Sequence, residues 1–118
     1  MIRTAALVVV AILVLVGLFF VLRPGPSGGE AQKRSMEVEI SDGAMSPGEI
    51  SVGQGDRVTL NLTADRPVEL HVHGYDLEKE VEPGEATRVY FRADQTGRFP
   101  VEDHETEAEL GVLVVEPR

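Results

Sequence analysis

Pro67-Val68-Glu69-Leu70-His71-Val72-His73-Gly74 is the stretch that decides the fold. Val68, Leu70 and Val72 alternate with Glu69, His71 and His73. Side chains along a strand point to opposite faces in turn, so this is a half-buried strand. Its apolar set faces a core, and a carboxylate and two imidazoles share the other face. The two imidazoles stand at i and i+2, about 6.5–7 Å apart at Cα, close enough to chelate one ion.

The same period continues on both sides. Met36-Glu37-Val38-Glu39-Ile40 alternates apolar and acidic residues, Ile50 and Val52 follow, and Val58, Leu60 and Leu62 alternate within Asp56–Thr63. Beyond the central stretch, Val89 and Phe91 alternate with Arg88, Tyr90 and Arg92. Leu110-Gly111-Val112-Leu113-Val114-Val115 is almost continuously apolar, as suits an interior strand. Turn-forming clusters separate these runs, among them Ser41-Asp42-Gly43, Gly53-Gln54-Gly55-Asp56, Glu82-Pro83-Gly84-Glu85 and Asp94-Gln95-Thr96-Gly97. Short strands with turns every 8–12 residues or so indicate an all-β sandwich or barrel of seven or eight strands. Residues 36–118 form that domain.

The N-terminus follows another rule. Ala5 to Leu22 is an apolar run of 18 residues without a charge. As a helix it extends about 27 Å, close to the thickness of a bilayer core. Secretory signals have a shorter apolar region and a small-residue cleavage site, whereas this run ends in Phe19-Phe20-Val21-Leu22-Arg23-Pro24. The expectation is an uncleaved transmembrane signal-anchor over residues 1–22. Residues 23–35 hold Pro24, Pro26 and three glycines and read as a flexible tether. Arg3 lies on one side of the helix and Arg23, Lys33 and Arg34 on the other, so the positive-inside rule does not orient it.

Charge and cysteine content exclude several classes. The net charge of −9 divides into +3 over residues 1–35 and −12 over the rest. A domain this acidic is repelled by nucleic-acid phosphates and anionic headgroups and suits cationic partners, metal ions included. There is no cysteine, hence no disulfide, no thiolate metal site and no lipid-bearing cysteine. Serines, threonines and histidines are too scattered for a nucleophilic triad. A binding module is expected rather than an enzyme.

Residues 36–118 resemble the cupredoxins, specifically cysteine-lacking cupredoxin-like domains similar to those of bacterial iron- and copper-uptake proteins. The resemblance is carried by Met45-Ser46-Pro47, Ile50-Ser51-Val52 and Gly55-Asp56-Arg57-Val58-Thr59-Leu60, then by Glu69–Asp76. It closes with Pro83-Gly84-Glu85, Phe91, Gly97-Arg98-Phe99, His104 and Leu110–Val115. The resemblance implies a Greek-key sandwich with a metal site at one end, on the extracytoplasmic side of a membrane. It also marks a departure. The family's cysteine falls at Val101, three residues before His104, and its methionine at Glu109 or Leu110. Blue copper needs a thiolate in a His₂Cys site, so a blue-copper electron carrier is not expected.

His71, His73 and His104 are the chain's three histidines. With the fold that the resemblance implies, the last loop brings His104 to the same rim of the sheet as the other two. Three neutral imidazoles suit Cu(II), Zn(II) or another divalent ion. Glu102 offers a carboxylate as a further ligand and Met45 a thioether for Cu(I). The expectation is a membrane-anchored metal-binding module, with copper as its ion. The alternative is a metal-free sandwich serving as an interaction or accessory domain of a membrane-protein complex.

Overall fold

The computed structural model describes residues 2–22 and 29–118. Of the expected tether over residues 23–35, residues 23–28 lie outside the described residues. Helix α1, Ile2–Leu22, leaves its described side chains exposed, and it is long and apolar enough to cross a membrane.

The domain is a sandwich of two sheets. One holds β1 (Lys33–Ser41), β2 (Ala44–Ser46), β4 (Arg57–Ala64) and β7 (Thr87–Arg92), in the order β2-β1-β4-β7. The other holds β3 (Glu49–Gly53), β5 (Val68–Val72), β6 (Leu77–Val81), β8 (Gly97–Asp103) and β9 (Ala108–Glu116), in the order β3-β9-β8-β5-β6. β1 runs parallel to β4 and β3 parallel to β9, which requires connections that cross between sheets. The alternating residues read from the sequence are the core. Val38, Ile40, Val58, Leu60 and Leu62 face Ile50, Val52, Leu70, Val72 and Leu113 across the interior. β9, with its near-continuous apolar run, is an interior strand between β3 and β8.

Three boundaries differ from the sequence reading. β1 begins at Lys33, so Lys33, Arg34 and Ser35 pair with Arg57, Val58 and Thr59 instead of belonging to a tether. There are nine strands among the described residues, because the three-residue β2 and the edge strand β6 escape a period-two search. Glu78, Lys79 and Glu80 of β6 are all exposed, and an edge strand has little need of an apolar face. The last loop, expected to carry His104, is a four-residue turn over 104–107 between the end of β8 and the start of β9.

Asp56 closes the sandwich at the end where β1 enters. It is wholly buried, and its Oδ1 accepts from the Gln32 N–H at 2.8 Å and the Arg118 guanidinium at 2.6 Å. Its Oδ2 accepts from the Gly53 N–H at 2.8 Å. One carboxylate thus ties the start of the domain, the β3–β4 turn and Arg118, beyond β9, together.

Candidate metal centre

His71 lies on the outer face of the five-stranded sheet, one strand in from the β6 edge, because Leu70 and Val72 on either side are drawn into the core. Its cross-strand neighbours are Glu78 on β6 and Glu102 on β8. The β5–β6 turn sets the first of these pairings. Gly74 and Asp76 both adopt left-handed backbone, at φ 86° and 48°, and the Tyr75 N–H donates to the Val72 carbonyl at 3.3 Å. That tight reversal puts Leu77 opposite Val72, and Glu78 therefore opposite His71.

His104 reaches the same face from the other side. It is the first residue of the β8–β9 turn, and its N–H donates to the Glu69 carbonyl at 2.8 Å. Beside it, Asp103 is 1% exposed. Its Oδ1 accepts from the Glu69 N–H at 3.3 Å and the Glu105 N–H at 3.2 Å, and Arg66 approaches its Oδ2 at 3.8 Å. An acid committed to the turn's backbone fixes where His104 begins, and a bulge after Val101 adjusts the strand that leads to it.

The three imidazoles gather. His71 and His73 have ring centroids 4.7 Å apart, and His71 and His104 5.7 Å apart with rings nearly perpendicular. Ligand atoms of His71, Glu78 and His104 all lie within 4.8 Å of one another, a compact N₂O donor group. His73 is engaged differently. Its Nε2–H donates to Glu102 Oε2 at 2.8 Å, which leaves Nδ1 as its free donor atom. His71, His73, Glu102, His104 and Glu107 line one open depression of about 370 Å³.

Two expectations need correction. The cluster lies on the outer face of the sheet and not at a rim of the sandwich. The β5–β6 and β8–β9 turns sit at opposite ends of β5, so His73 and His104 approach His71 from opposite directions. Met45 is no ligand in this arrangement. It is 4% exposed within the core, and its side chain fills the space over Gly111. A thioether on an inward-facing strand position cannot reach a group on the far side of a sheet. Glu78, conversely, escaped the sequence reading. Treating His73–Asp76 as a tight hairpin turn would have found it opposite His71.

The surroundings favour a cation. Glu69 pairs with Glu80, and Glu102 with Glu109, two like-charge neighbours on one face. Such pairs are destabilising unless a positive charge sits between or beside them.

A family model for the Cupredoxin-like domain matches residues 10–115. The chain belongs to that family. Among solved structures, this cupredoxin-like chain is similar to a blue copper oxidase from Nitrosomonas europaea, at 24% identity and TM-score 0.58 over 73% of this chain. It spans 39% of that oxidase's length. The metal-binding domain of the Streptococcus pneumoniae D39 Cu(I)-exporting P-type ATPase CopA matches at 12% identity and TM-score 0.62, over 75% of this chain and 98% of that one. A chain from a heme-copper terminal oxidase dimer matches at 15% identity and TM-score 0.61, over 97% of this chain and 96% of its own. At these identities the likeness is one of fold. A comparison with curated proteins gave no match.

The cupredoxin copper–thiolate site does not fit these residues. Val101 and Leu110 are buried among apolar side chains, and Glu109 is exposed on β9. No thiolate or thioether can arise there. The candidate donor group of this cupredoxin-like domain is the histidine–glutamate set on the opposite side of the same sheet.

Proposed function

We propose that this cupredoxin-like protein is a membrane-anchored, extracytoplasmic module that binds copper as Cu(II), without catalysis of its own. His71, His104 and Glu78 supply the inner donors, with His73 and Glu102 alongside as a hydrogen-bonded pair. The observation that carries the reading is the approach of the His71, Glu78 and His104 ligand atoms to within 4.8 Å of one another. Imidazole and carboxylate donors suit Cu(II), which also stands highest among divalent first-row metals in affinity for such sites; Zn(II) follows. The retreat of Met45 into the core removes the soft donor that would favour Cu(I). An open, outward-facing site fits loading and release of an ion better than permanent retention. The fold likeness to a copper-binding domain supports copper as the ion, whatever its oxidation state, and the apolar helix supports placement at a membrane.

Titration calorimetry on protein purified without a histidine tag tests this. His71→Ala should weaken Cu(II) binding at least on the order of 100-fold, and Glu78→Gln about tenfold. Unchanged affinity in both variants would refute the assignment. Because imidazoles must be neutral to ligate, binding should also weaken as the solution is acidified.

A second reading is an accessory domain of a membrane oxidase complex that uses no metal of its own. The observation in its favour is the match along almost the whole chain, helix included, to a chain of a heme-copper terminal oxidase dimer. In that case a chelator leaves recovery of partner proteins from solubilised membranes unchanged, while deletion of residues 36–118 abolishes it.

A further inference from the structure

The outer face of the four-stranded sheet carries a feature that the net charge conceals. Lys33 on β1 stands opposite Arg57 on β4, and Arg57 stands opposite Arg92 on β7. Val58 and Phe91, the next residues along, turn inward to the core, so all three cations project outward in a single row across three strands. Adjacent like charges in a sheet are destabilising. Even so, among the described residues neither Lys33 nor Arg57 forms an ion pair, although the domain is rich in carboxylates. Arg92 alone is matched, by the exposed Asp94 at 2.9 Å.

The next row along the strands is Ser35, Thr59 and Tyr90, and the Tyr90 ring is 66% exposed. Two shallow depressions flank the cations and share Lys33 and Arg57. One, of about 200 Å³, is bounded by Gln32, Gly55 and Arg92, and the other, of about 410 Å³, by Arg34, Thr59 and Tyr90. The place of this row in the chain matters as much as its charge. Lys33 opens β1, eleven residues after Leu22, so an extended tether holds it within about 40 Å of the helix end. This is the end of the domain nearest the apolar helix along the chain.

We propose that this basic, tyrosine-bearing end of the four-stranded sheet docks on anionic phospholipid headgroups of the bilayer that holds α1. Lys33, Arg57 and Arg92 would contact phosphates, and Tyr90 would sit at the interface, where its ring is apolar and its hydroxyl wet. The inference rests on α1 being a membrane anchor. Screening confines the effect of a charge to about 8–10 Å, so the acids of the opposite sheet, and Glu37 and Glu39 four and six residues along β1 from Lys33, contribute little at the Lys33–Arg57–Arg92 row. Docked this way, the protein presents its histidine–glutamate face away from the lipid, open to its ion.

The absence of cysteine makes a single-label test clean. The full chain carrying Ser35→Cys, labelled with bimane, is reconstituted in phosphatidylcholine vesicles or in vesicles with about 30 mol % phosphatidylglycerol, both doped with headgroup spin-labelled lipid as quencher. Quenching at position 35 should rise about threefold in the anionic vesicles, fall back in about 0.5 M salt, and be lost in the Lys33→Gln/Arg57→Gln/Arg92→Gln variant. A label at Glu80→Cys, on the far sheet, should not respond. Equal quenching of position 35 in both lipids, or a response that survives the triple variant, would overturn the proposal, and an acidic protein partner would then be the occupant to seek. Flotation with pure phosphatidylcholine vesicles reads the anchor separately. A wild-type chain that floats without lipid-charge-dependent quenching loses only this inference, whereas one that fails to float loses the anchor reading and the docking together.

Discussion

Asp56 and Asp103 are the two buried acids among the described residues, and each fixes a different end of the domain. Burial by itself pushes the Asp56 carboxyl up, but the Gln32 and Gly53 N–H donors and the Arg118 guanidinium outweigh it and hold the pKa below its ordinary 3.8. A group with a lowered folded-state pKa stabilises the fold in full above its unfolded value and loses that contribution as pH falls through the folded one. Asp56→Asn should therefore cost about 1–3 kcal/mol near neutral pH and flatten the acid limb below about pH 4. Urea unfolding of both proteins at neutral and acidic pH measures this; parallel acid limbs would contradict it. Asp103 acts on the site through its neighbour. It holds the turn backbone from which His104 springs, so Asp103→Ala should weaken Cu(II) binding about 10–100-fold while leaving the copper spectrum of a saturated sample unaltered. A change in that spectrum would mean that the donor set itself had shifted.

At the scale of elements, the strands that alternate cleanly were legible and those at edges were not. β4 and β5 announce themselves because every second residue is Val or Leu. β6 does not, because Leu-Glu-Lys-Glu-Val keeps its central three residues in water, and Glu78 was lost with it. The imidazoles of the donor group were therefore readable and its carboxylate partner was not, since cross-strand register follows from a turn and no spacing along one strand reveals it. Met45 was misread for a related reason. Its inward direction follows from pairing with Ile40 across the tight Asp42-Gly43 hairpin, and the three-residue β2 is too short to show an alternating pattern of its own. Gly111 offers a test of this packing. A Cβ there would lie 2.6 Å from the Gly48 carbonyl oxygen and 2.5 Å from Met45 Cγ. The first of these is backbone and cannot swing aside. Gly111→Ala should accordingly destabilise by more than about 2 kcal/mol, a fall in Tm on the order of 10 °C for a domain of this size. A Tm within 2–3 °C or so of wild type would show that β2 and the β2–β3 turn are less tightly apposed to β9 than described.

Across the whole molecule, charge is sorted by face. The five-stranded sheet shows glutamates and histidines, and one end of the other sheet shows a row of bases. Composition reported only the sum, −9, and so predicted repulsion from anionic surfaces for the entire domain. Sheet register decides which charges stand together, and register is where the sequence reading stopped. A metal held by the folded domain alone must also stabilise it. At 100 times the dissociation constant the gain is about 2.7 kcal/mol, a rise in Tm on the order of 10 °C that a chelator reverses. The central claim is that imidazoles from β5 and from the β8–β9 turn share one ion. Electron paramagnetic resonance of the untagged full chain with one equivalent of Cu(II) addresses it most directly. The expected spectrum shows hyperfine structure from at least two nitrogens in wild type, reduced by one in His104→Ala and again in His71→Ala/His104→Ala. A spectrum without nitrogen couplings, or one unmoved by loss of His104, would contradict the account.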